Sequence, residues 1–310
     1  MNSNTLDLIR SNDHLTVSKA ITHIENDDKI SNSFLEKIYD YGKDALRIGI
    51  TGPPGCGKST LTDQLIKQLI NDKKSVGVVA VDPTSPFTGG ALLGDRVRMN
   101  NYVWNDDVYI RSLGSKNSRG GLATKAQYVG DILAASKKHV IIYETVGVGQ
   151  GEYDVSKAVD LTIVVLVPEA GDEIQLMKAG LIEVADIFVV NKSDRDGADR
   201  IYQSLKMMLH TFISENKLTP PVFSTSANIN EGIDKLYCGM KDHINILKDE
   251  GLYNKKRLDR QRNRVLGIIK NNLIKDFWSK EKLNLLDDKI KNIKSLKISP
   301  YKLAKDILSE

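Results

Sequence analysis

Cysteine is scarce in this sequence, and its scarcity excludes several kinds of protein. Of the 310 residues, only Cys56 and Cys238 are cysteines, and neither belongs to a Cys-x-x-Cys pair. Two separate cysteines cannot build the disulfide framework of a small secreted domain, and they lack the spacing of a structural zinc site. The five histidines are scattered, so no histidine-rich tract suggests a metal carrier.

Long apolar runs are also missing. Residues 1–15 contain no apolar segment of the length that a secretory signal needs. The run Leu161–Val167 has the length of a strand and is much shorter than the roughly 20 residues that cross a bilayer. With 41% hydrophobic and 27% charged residues, the composition is that of an ordinary globular protein. We therefore expect a cytoplasmic protein with no membrane partner.

The net charge of +4 is unevenly distributed along the chain. Residues 251–310 contain 16 Lys and Arg against 7 Asp and Glu, whereas the first 250 residues contain 28 against 33. A basic tail on an acidic body can be a nucleic-acid-binding arm. Here the charges are interspersed with Leu and Ile, which is typical of a solvated helical face, and the aromatic residues are too sparse for a base-stacking platform. We therefore expect no nucleic-acid partner.

Between residues 46 and 250, short apolar runs alternate with helical patterns. Runs of strand length occur at residues 47–51, 76–81, 108–110, 140–143, 161–167, 187–190 and 222–223. This alternation predicts an α/β fold with a mostly parallel central sheet covered by helices on both faces. Residues 1–45 and 251–310 have only helical patterns, so we expect N-terminal and C-terminal helical extensions. In the first extension, the apolar positions of one amphipathic helix are Leu15, Val17, Ala20, Ile21 and Ile24.

A glycine-rich motif follows the first of these strands. Residues 52–59, Gly-Pro-Pro-Gly-Cys-Gly-Lys-Ser, match the P-loop pattern G-x-x-x-x-G-K-[ST], with a strand before and a helix after. Glycines let the backbone N–H groups converge on phosphate oxygens, and the helix directs its positive end towards the same point. We expect Lys58 to reach the β- and γ-phosphates and Ser59 to bind Mg²⁺. The predicted nucleotide contacts from this segment are Gly52, Gly55, Cys56, Gly57, Lys58, Ser59 and Thr60.

The place of Cys56 within the loop permits two interpretations. A thiol near a helix N-terminus can have a low pKa and act in redox chemistry. The loop binds phosphate through its backbone, however, so a small side chain of any kind is tolerated there, and we favour this second interpretation.

Three carboxylates stand where a P-loop domain needs ligands for Mg²⁺. Asp82 follows the strand 76–81, Asp95 lies in a glycine-containing loop, and Glu144 follows the strand 140–143. The carboxyl ends of parallel strands face the ligand crevice, and Mg²⁺ uses few protein carboxylates together with waters and phosphate oxygens. A single Asp at a strand end is usually a helix N-cap. Three carboxylates in one P-loop domain instead favour a metal site, which we expect to be formed by Ser59, Asp82, Asp95 and Glu144.

A second motif predicts which base is bound. Asn191-Lys192-Ser193-Asp194 follows the strand 187–190 and has the form N-K-x-D. The carboxylate of Asp194 can accept from both N1–H and the exocyclic amine of guanine, and adenine offers no such pair of donors. Asn191 can fix the base edge, and the stem of Lys192 can cover its ring. Residues 225–227, which include Ser226 and Ala227, are either a supporting loop for the guanine oxygen or an ordinary turn.

Taken together, these segments resemble the MeaB/ArgK-type GTPases associated with methylmalonyl-CoA mutase. The resemblance covers nearly the whole chain and is most specific over residues 47–230. The segments that carry it are GPPGCGKST (52–60), VDPTSPFTGGALLGDRVRM (81–99), ETVGVGQGE (144–152), GDEIQLMKAG (171–180) and NKSD (191–194).

This resemblance implies a homodimeric G protein chaperone that hydrolyses GTP to GDP and phosphate. Such proteins gate the delivery of adenosylcobalamin to an acyl-CoA mutase and protect the mutase from inactivation. The family pattern places Lys58, Ser59, Asp82, Asp95 and Glu144 around the phosphates and the metal, and it makes Lys58 and Glu144 candidate catalytic residues. It implies that residues 251–310 include the dimerisation arm, and that residues 171–180 form a switch loop responding to the mutase.

Within that loop, Asp172 and Lys178 are the candidate catalytic residues. A phosphoryl-transfer site without an arginine finger lacks a cation, and Lys178 can supply one when the mutase binds, with Asp172 positioning the loop. The plain alternative is a strand–helix connection whose acidic residues complement the helix dipole.

Two alternative functions compete with this interpretation. A metallochaperone-type GTPase is disfavoured by the absence of a histidine-rich tract or cysteine pair. A nucleotide hydrolase linked to amino-acid transport is suggested by the ArgK name. The sequence contains no protein-kinase catalytic loop that would support a kinase activity.

Overall fold

The structure is a computed structural model that describes residues 3–26, 30–82, 102, 105–114, 122–145, 156–168, 181–212, 218–291 and 298–309. The chain divides into two compact units, Met1–Arg260 and Gln261–Glu310. None of the helices in the described ranges is both long enough and apolar enough to cross a membrane.

The first unit is built on a seven-stranded sheet. Its strands pair in parallel throughout, in the order β3-β2-β4-β1-β5-β6-β7. The strands are β1 Leu46–Thr51, β2 Val76–Asp82, β3 Val108–Gly114, β4 Val140–Glu144, β5 Leu161–Leu166, β6 Ile187–Val190 and β7 Val222–Ser224. The predicted α/β fold with a parallel sheet is therefore confirmed.

Helices connect the strands and extend the chain at both ends. Their bounds in the first unit are α1 Ser3–Arg10, α2 His14–Glu25, α3 Asn32–Gly42, α4 Lys58–Asn71, α5 Leu122–Ala135, α6 Leu181–Val184, α7 Ala198–Phe212 and α8 Ile233–Asp249. They continue with α9 Leu252–Phe277, which spans the boundary between the units, and with α10 Lys280–Ile290 and α11 Pro300–Ser309 in the second unit. The domain limits predicted at 45/46 and 250/251 stay a prediction.

Apolar side chains cover the sheet on both faces. In β4, Ile142 packs in one cluster with side chains of α4 and α8, while the next residues on either side, Ile141 and Tyr143, pack in a second cluster with α1, α2, α3 and α5. Alternate residues of a strand point to opposite faces, so a strand that is buried on both faces needs a continuous apolar run. Burial of each large apolar side chain contributes about 1.5–3 kcal/mol.

The N-terminal helices pack on one of these faces. In α2, Val17, Ala20, Ile21 and Ile24 are buried, as their helical spacing predicts. The expectation for Leu15 is wrong, because its side chain is 64% exposed. At about 100° per residue, Leu15 lies roughly 200° around the helix from Val17 and cannot share its face.

The topology determines where a ligand can bind. Strand β1 lies between β4 and β5, so the chain leaves β1 at the point where the strand order reverses. In sheets of this kind, ligands bind outside the carboxyl ends of the strands at such a switch point. The residues that follow β1, β4 and β6 meet there.

Charged side chains form contacts at the amino ends of the strands, on the side of the sheet opposite to the switch point. A buried ion pair joins Arg47 Nη2 at the start of β1 to Asp131 Oδ1 of α5 at 2.8 Å. The backbone N–H of Arg47 donates to Asp160 Oδ2 at 2.9 Å, and Asp160 also pairs with Arg260 of α9. These contacts hold β1, β5 and the first turns of α9 together at the edge away from the switch point.

Candidate nucleotide site

The glycine-rich turn adopts a conformation that requires its glycines. Gly52, Gly55 and Gly57 have φ values of 144°, 75° and 88°, which side chains rarely tolerate. A Cβ on Gly52 would lie 2.1 Å from Val165 O, and one on Gly57 would lie 2.4 Å from Asn191 Nδ2. The turn is therefore packed tightly against β5 and against the residue that follows β6.

The P-loop lysine is held over its own loop. Lys58 Nζ donates to Gly52 O at 2.9 Å and to Pro53 O at 3.0 Å. Helix α4 begins at Lys58, and its N-cap Gly57 supplies no side-chain hydrogen bond to the first turn. The loop therefore combines a cation with a helix N-terminus, the arrangement that binds phosphate groups.

Two candidate oxygen ligands for a metal lie next to each other, one on Ser59, which follows this lysine, and one on Glu144. Ser59 Oγ donates to Glu144 Oε1 at 2.5 Å, and the two residues are only 8% and 4% exposed. A hydroxyl and a carboxylate at the start of a phosphate-binding helix are the hard oxygen ligands that Mg²⁺ prefers, so the donor set fits this metal.

The other predicted metal ligands are only partly visible. Asp82 is the last residue of β2, and in that strand Ala80 is in register with Glu144, so Asp82 lies at the same edge of the sheet. Asp95 lies outside the described residues. Within the described ranges, no group of three or more His, Cys, Asp or Glu side chains forms a metal cluster. The role of these residues in metal binding stays a prediction.

A cavity of about 440 Å³ opens next to the P-loop. Its lining joins three segments that are distant in sequence: the P-loop with the start of α4, the loop after β6, and the loop after β7. The lining residues are Gly55, Gly57, Thr60, Asn191, Lys192, Arg195, Ser226, Ala227 and Asn228.

Asn191 ties these three segments together. Its Nδ2 donates to Cys56 O at 2.9 Å, while its Oδ1 accepts from Thr225 Oγ1 and from Ala227 N–H, both at 3.1 Å. The residue is 2% exposed. The sequence predicts that Asn191 contacts the edge of the base. In the structure, its side chain also holds the P-loop and the loop after β7 in a fixed position relative to each other.

Asp194 is also joined to the loop after β7. Ser226 Oγ donates to Asp194 Oδ1, and Ser193 N–H donates to Thr225 O at 3.0 Å. Residues 225–227 therefore form more than an independent turn, because they support both Asn191 and Asp194. Gln64 of α4 adds another support by donating from Nε2 to Ala227 O at 2.9 Å.

Cys56 is fully buried, and burial raises the pKa of its thiol. A reactive cysteine needs a low pKa and access to solvent. The redox interpretation of Cys56 is therefore wrong, and the residue contributes its backbone oxygen to the contact with Asn191.

Two residues of this cavity were not predicted from the sequence. Arg195 and Asn228 line it but were not among the predicted contacts. Their positions, directly after the N-K-x-D motif and directly after Ser226-Ala227, were a usable signal. Asp172 and Lys178 lie outside the described residues, so the structure does not bear on their predicted catalytic roles.

Comparison with known proteins agrees with a nucleotide-binding site of this kind. The family model described as methylmalonyl Co-A mutase-associated GTPase MeaB matches residues 17–282. A candidate GTPase of Pyrococcus abyssi is 40% identical over 308 residues, which cover 98% of this chain and 95% of that protein. GTPase ArgK of Escherichia coli is 36% identical over 253 residues, which cover 78% of this chain and 76% of the ArgK chain.

A solved structure shares the fold of this chain. It is the crystal structure of a LAO/AO transport system kinase, and the superposition covers 100% of this chain and 98% of the kinase chain. The TM-score is 0.72 and the sequence identity is 24%. At this level of identity the likeness shows the shared fold. The protein is thus a GTPase that binds GTP and GDP, and its chain belongs to the methylmalonyl Co-A mutase-associated GTPase family, MeaB.

Proposed function

We propose that this GTPase is a chaperone for an adenosylcobalamin-dependent acyl-CoA mutase such as methylmalonyl-CoA mutase. In this proposal, GTP binding and hydrolysis gate the loading of adenosylcobalamin and protect the mutase from inactivation. The observation that carries it is the match to a family described as mutase-associated. The matched residues 17–282 extend beyond the sheet into helices on both sides, so the likeness includes more than the nucleotide-binding core.

Each end of the nucleotide has a proposed set of contacts. Lys58 and the first N–H groups of α4 bind the phosphates, since they combine a positive charge with helix-end donors. Asp194 accepts from N1–H and the amine of guanine, held in place by Ser226. Asn191 keeps the two ends in register because it bonds to the P-loop and to the loop after β7.

Mg²⁺ is the proposed metal, with Ser59, Glu144, Asp82 and Asp95 as its protein partners. When bound, it neutralises negative charge on the β- and γ-phosphate oxygens. Ser59 and Glu144 already share a hydrogen bond in a buried position, which keeps both oxygens at the phosphate end of the site.

The proposed coupling to the mutase goes through residues 171–180. These residues follow β5, a strand that pairs with β1 directly before the P-loop. Lys178 would supply a positive charge at the phosphates when the mutase binds, and Asp172 would position the loop. Hydrolysis by the free protein is expected to be slow, since no arginine finger can be assigned from the sequence.

Replacing Lys178 by alanine should separate basal from stimulated hydrolysis. We expect Lys178→Ala to bind GTP and to hydrolyse it at nearly the basal rate, and to lose most of the acceleration by methylmalonyl-CoA mutase. The reason is that the charge is needed only in the complex. The measurement is phosphate release with and without the mutase, for both proteins.

The exposed Lys206 on α7 provides a matched control, and Lys206→Ala should keep the full acceleration. Full stimulation of Lys178→Ala would contradict the role of Lys178. A lack of any stimulation of the unmutated protein, by this mutase or by related acyl-CoA mutases, would contradict the proposed chaperone function itself.

A homodimer is also proposed, with residues 251–310 including the dimerisation arm. The supporting observation is a stripe of apolar side chains on α9. Leu266, Ile269 and Leu273 are spaced by three and four residues, and each is at least 50% exposed. Such spacing places them on one helix face that a second chain can cover.

Changing Ile269 to aspartate should therefore weaken self-association. We expect the unmutated protein to elute with the mass of a dimer in light scattering, and Ile269→Asp to shift towards the monomer mass of 34.5 kDa. The exposed Lys270→Asp is the control and should stay dimeric. A monomeric unmutated protein at micromolar concentration would refute this arrangement.

A further inference from the structure

The loop after β6 holds one arginine at a fixed point. Arg195 N–H donates to Lys192 O at 3.0 Å, and Arg195 O accepts from Ala198 N–H at 3.3 Å, at the start of α7. Lys192 has a left-handed backbone with φ of 56°, and Ser193 is bonded to the loop after β7. The backbone of Arg195 is therefore set by turns on both sides, whatever its side chain does.

Arg195 stands at the mouth of the cavity. Of the described residues that line the cavity, Gly55, Arg195 and Asn228 are exposed, while the others are buried or partly buried. Gly55 has no side chain, and the side chain of Asn228 is short. Among the lining residues that the structure describes, Arg195 is the exposed one whose side chain is long enough to reach over a ligand seated inside.

The described lining of the cavity lacks an aromatic ring, and an arginine can take its place. A purine has two flat faces, and proteins usually cover such faces with aromatic rings or with guanidinium planes. Among the described residues that line the cavity, none is Phe, Tyr or Trp. The stem of Lys192 offers an apolar chain but no flat surface, and Arg195 is the lining residue that carries a planar cation.

We propose that Arg195 is an affinity-determining residue of the nucleotide site, where its guanidinium packs over the face of the bound guanine at the mouth of the cavity. This inference rests on the proposed placement of guanine between the P-loop and residues 191–195. Asp194 reads the base edge and gives specificity, whereas Arg195 covers the base face and gives affinity to any purine that enters.

This arrangement differs in a measurable way from an electrostatic contact with the phosphates. A contact with the phosphates depends on their number and on charge alone. A contact with the base face depends on planarity and is indifferent to phosphate number and to the amine of guanine. Variants that separate charge from planarity therefore test it.

The test is calorimetric binding of GDP, GMP and IDP to Arg195→Ala, Arg195→Lys and Arg195→Tyr. We expect Arg195→Ala to weaken all three nucleotides by the same factor, about three- to ten-fold. Arg195→Tyr, which is planar but uncharged, should stay within about two-fold of the unmutated protein, while Arg195→Lys should recover less. Arg200→Ala, an exposed arginine of α7, is the matched control and should not change affinity.

Three results would overturn the inference: unchanged affinity in Arg195→Ala, equal losses in Arg195→Tyr and Arg195→Ala, or a loss that grows with phosphate number. An equal loss in Arg200→Ala would also overturn it, because a general charge effect would then suffice. Equal binding of GDP and ADP by the unmutated protein would instead contradict the proposed guanine site. A guanine preference with an indifferent Arg195 would leave that site standing.

Discussion

Replacing Lys58 by alanine is expected to reduce GTP hydrolysis by at least about 100-fold, the cost of removing one charged group from a transition state with developing charge. Lys58 Nζ bonds to Gly52 O and Pro53 O, so it lies over the turn where the phosphates are proposed to bind. A nucleotide would replace these carbonyls with phosphate oxygens, which are stronger partners for an ammonium group. Alanine offers no substitute.

Phosphate release under single-turnover conditions measures this effect. Lys67→Ala is the control, because Lys67 lies on the same helix and is bound to Asp63 at 2.7 Å in a partly exposed ion pair. It should hydrolyse GTP at the parent rate. Thermal unfolding should show that Lys58→Ala is folded. A folded Lys58→Ala protein that releases phosphate at the parent rate would disprove the assigned role.

The second large effect is expected at Asp194. Asp194→Ala should lower the affinity for GTP by about 1–3 kcal/mol, because the two guanine donors would lose their charged acceptor. Asp194→Asn should do more than weaken binding. Xanthine carries an oxygen where guanine carries its amine, and an asparagine amide can donate to that oxygen, so this variant should prefer XDP to GDP.

Calorimetry with GDP, XDP and ADP distinguishes these outcomes. Asp196→Ala removes another exposed carboxylate of the same loop and should bind GDP normally. Unchanged GDP binding in Asp194→Ala would show that Asp194 does not read the base. Because Ser226 donates to Asp194, a loss in Ser226→Ala that is smaller than the loss in Asp194→Ala is also expected.

The fold was predictable from the sequence for a simple reason. In a parallel sheet that is buried on both faces, strands are continuous apolar runs, and these stand out against the polar loops between them. The strand Ile187–Val190 was located to the residue. The P-loop was equally clear, because its glycines are required by positive φ values and by close contacts with Val165 and Asn191.

The sequence pattern predicts strand ends poorly where a tertiary contact, rather than apolar burial, stabilises a residue of the strand. Strand β3 was predicted to end at Ile110, yet it continues to Gly114. Arg111 interrupts the apolar run, but its guanidinium pairs with Glu25 of α2, with Nε 3.0 Å from Oε1. No local pattern predicts a partner that lies 86 residues away.

The cavity was only half predictable for a related reason. Motifs identify residues whose own side chains carry the expected chemistry, such as Lys58 and Asp194. The position of Arg195 depends on how the loop after β6 folds against the loop after β7, and the buried hydrogen bonds of Asn191 decide that arrangement. Three loops must meet before Arg195 can be recognised as part of the lining.

Hydrogen–deuterium exchange with and without Mg²⁺–GDP tests most directly where the nucleotide lies. The proposed site predicts slower exchange in three separate peptides, covering residues 52–60, 191–197 and 225–228, because their backbones surround the ligand. The amides of α2 should exchange at the same rate in both states. If the nucleotide binds and these three peptides exchange at unchanged rates, the guanine site proposed between the P-loop and the loops after β6 and β7 is wrong.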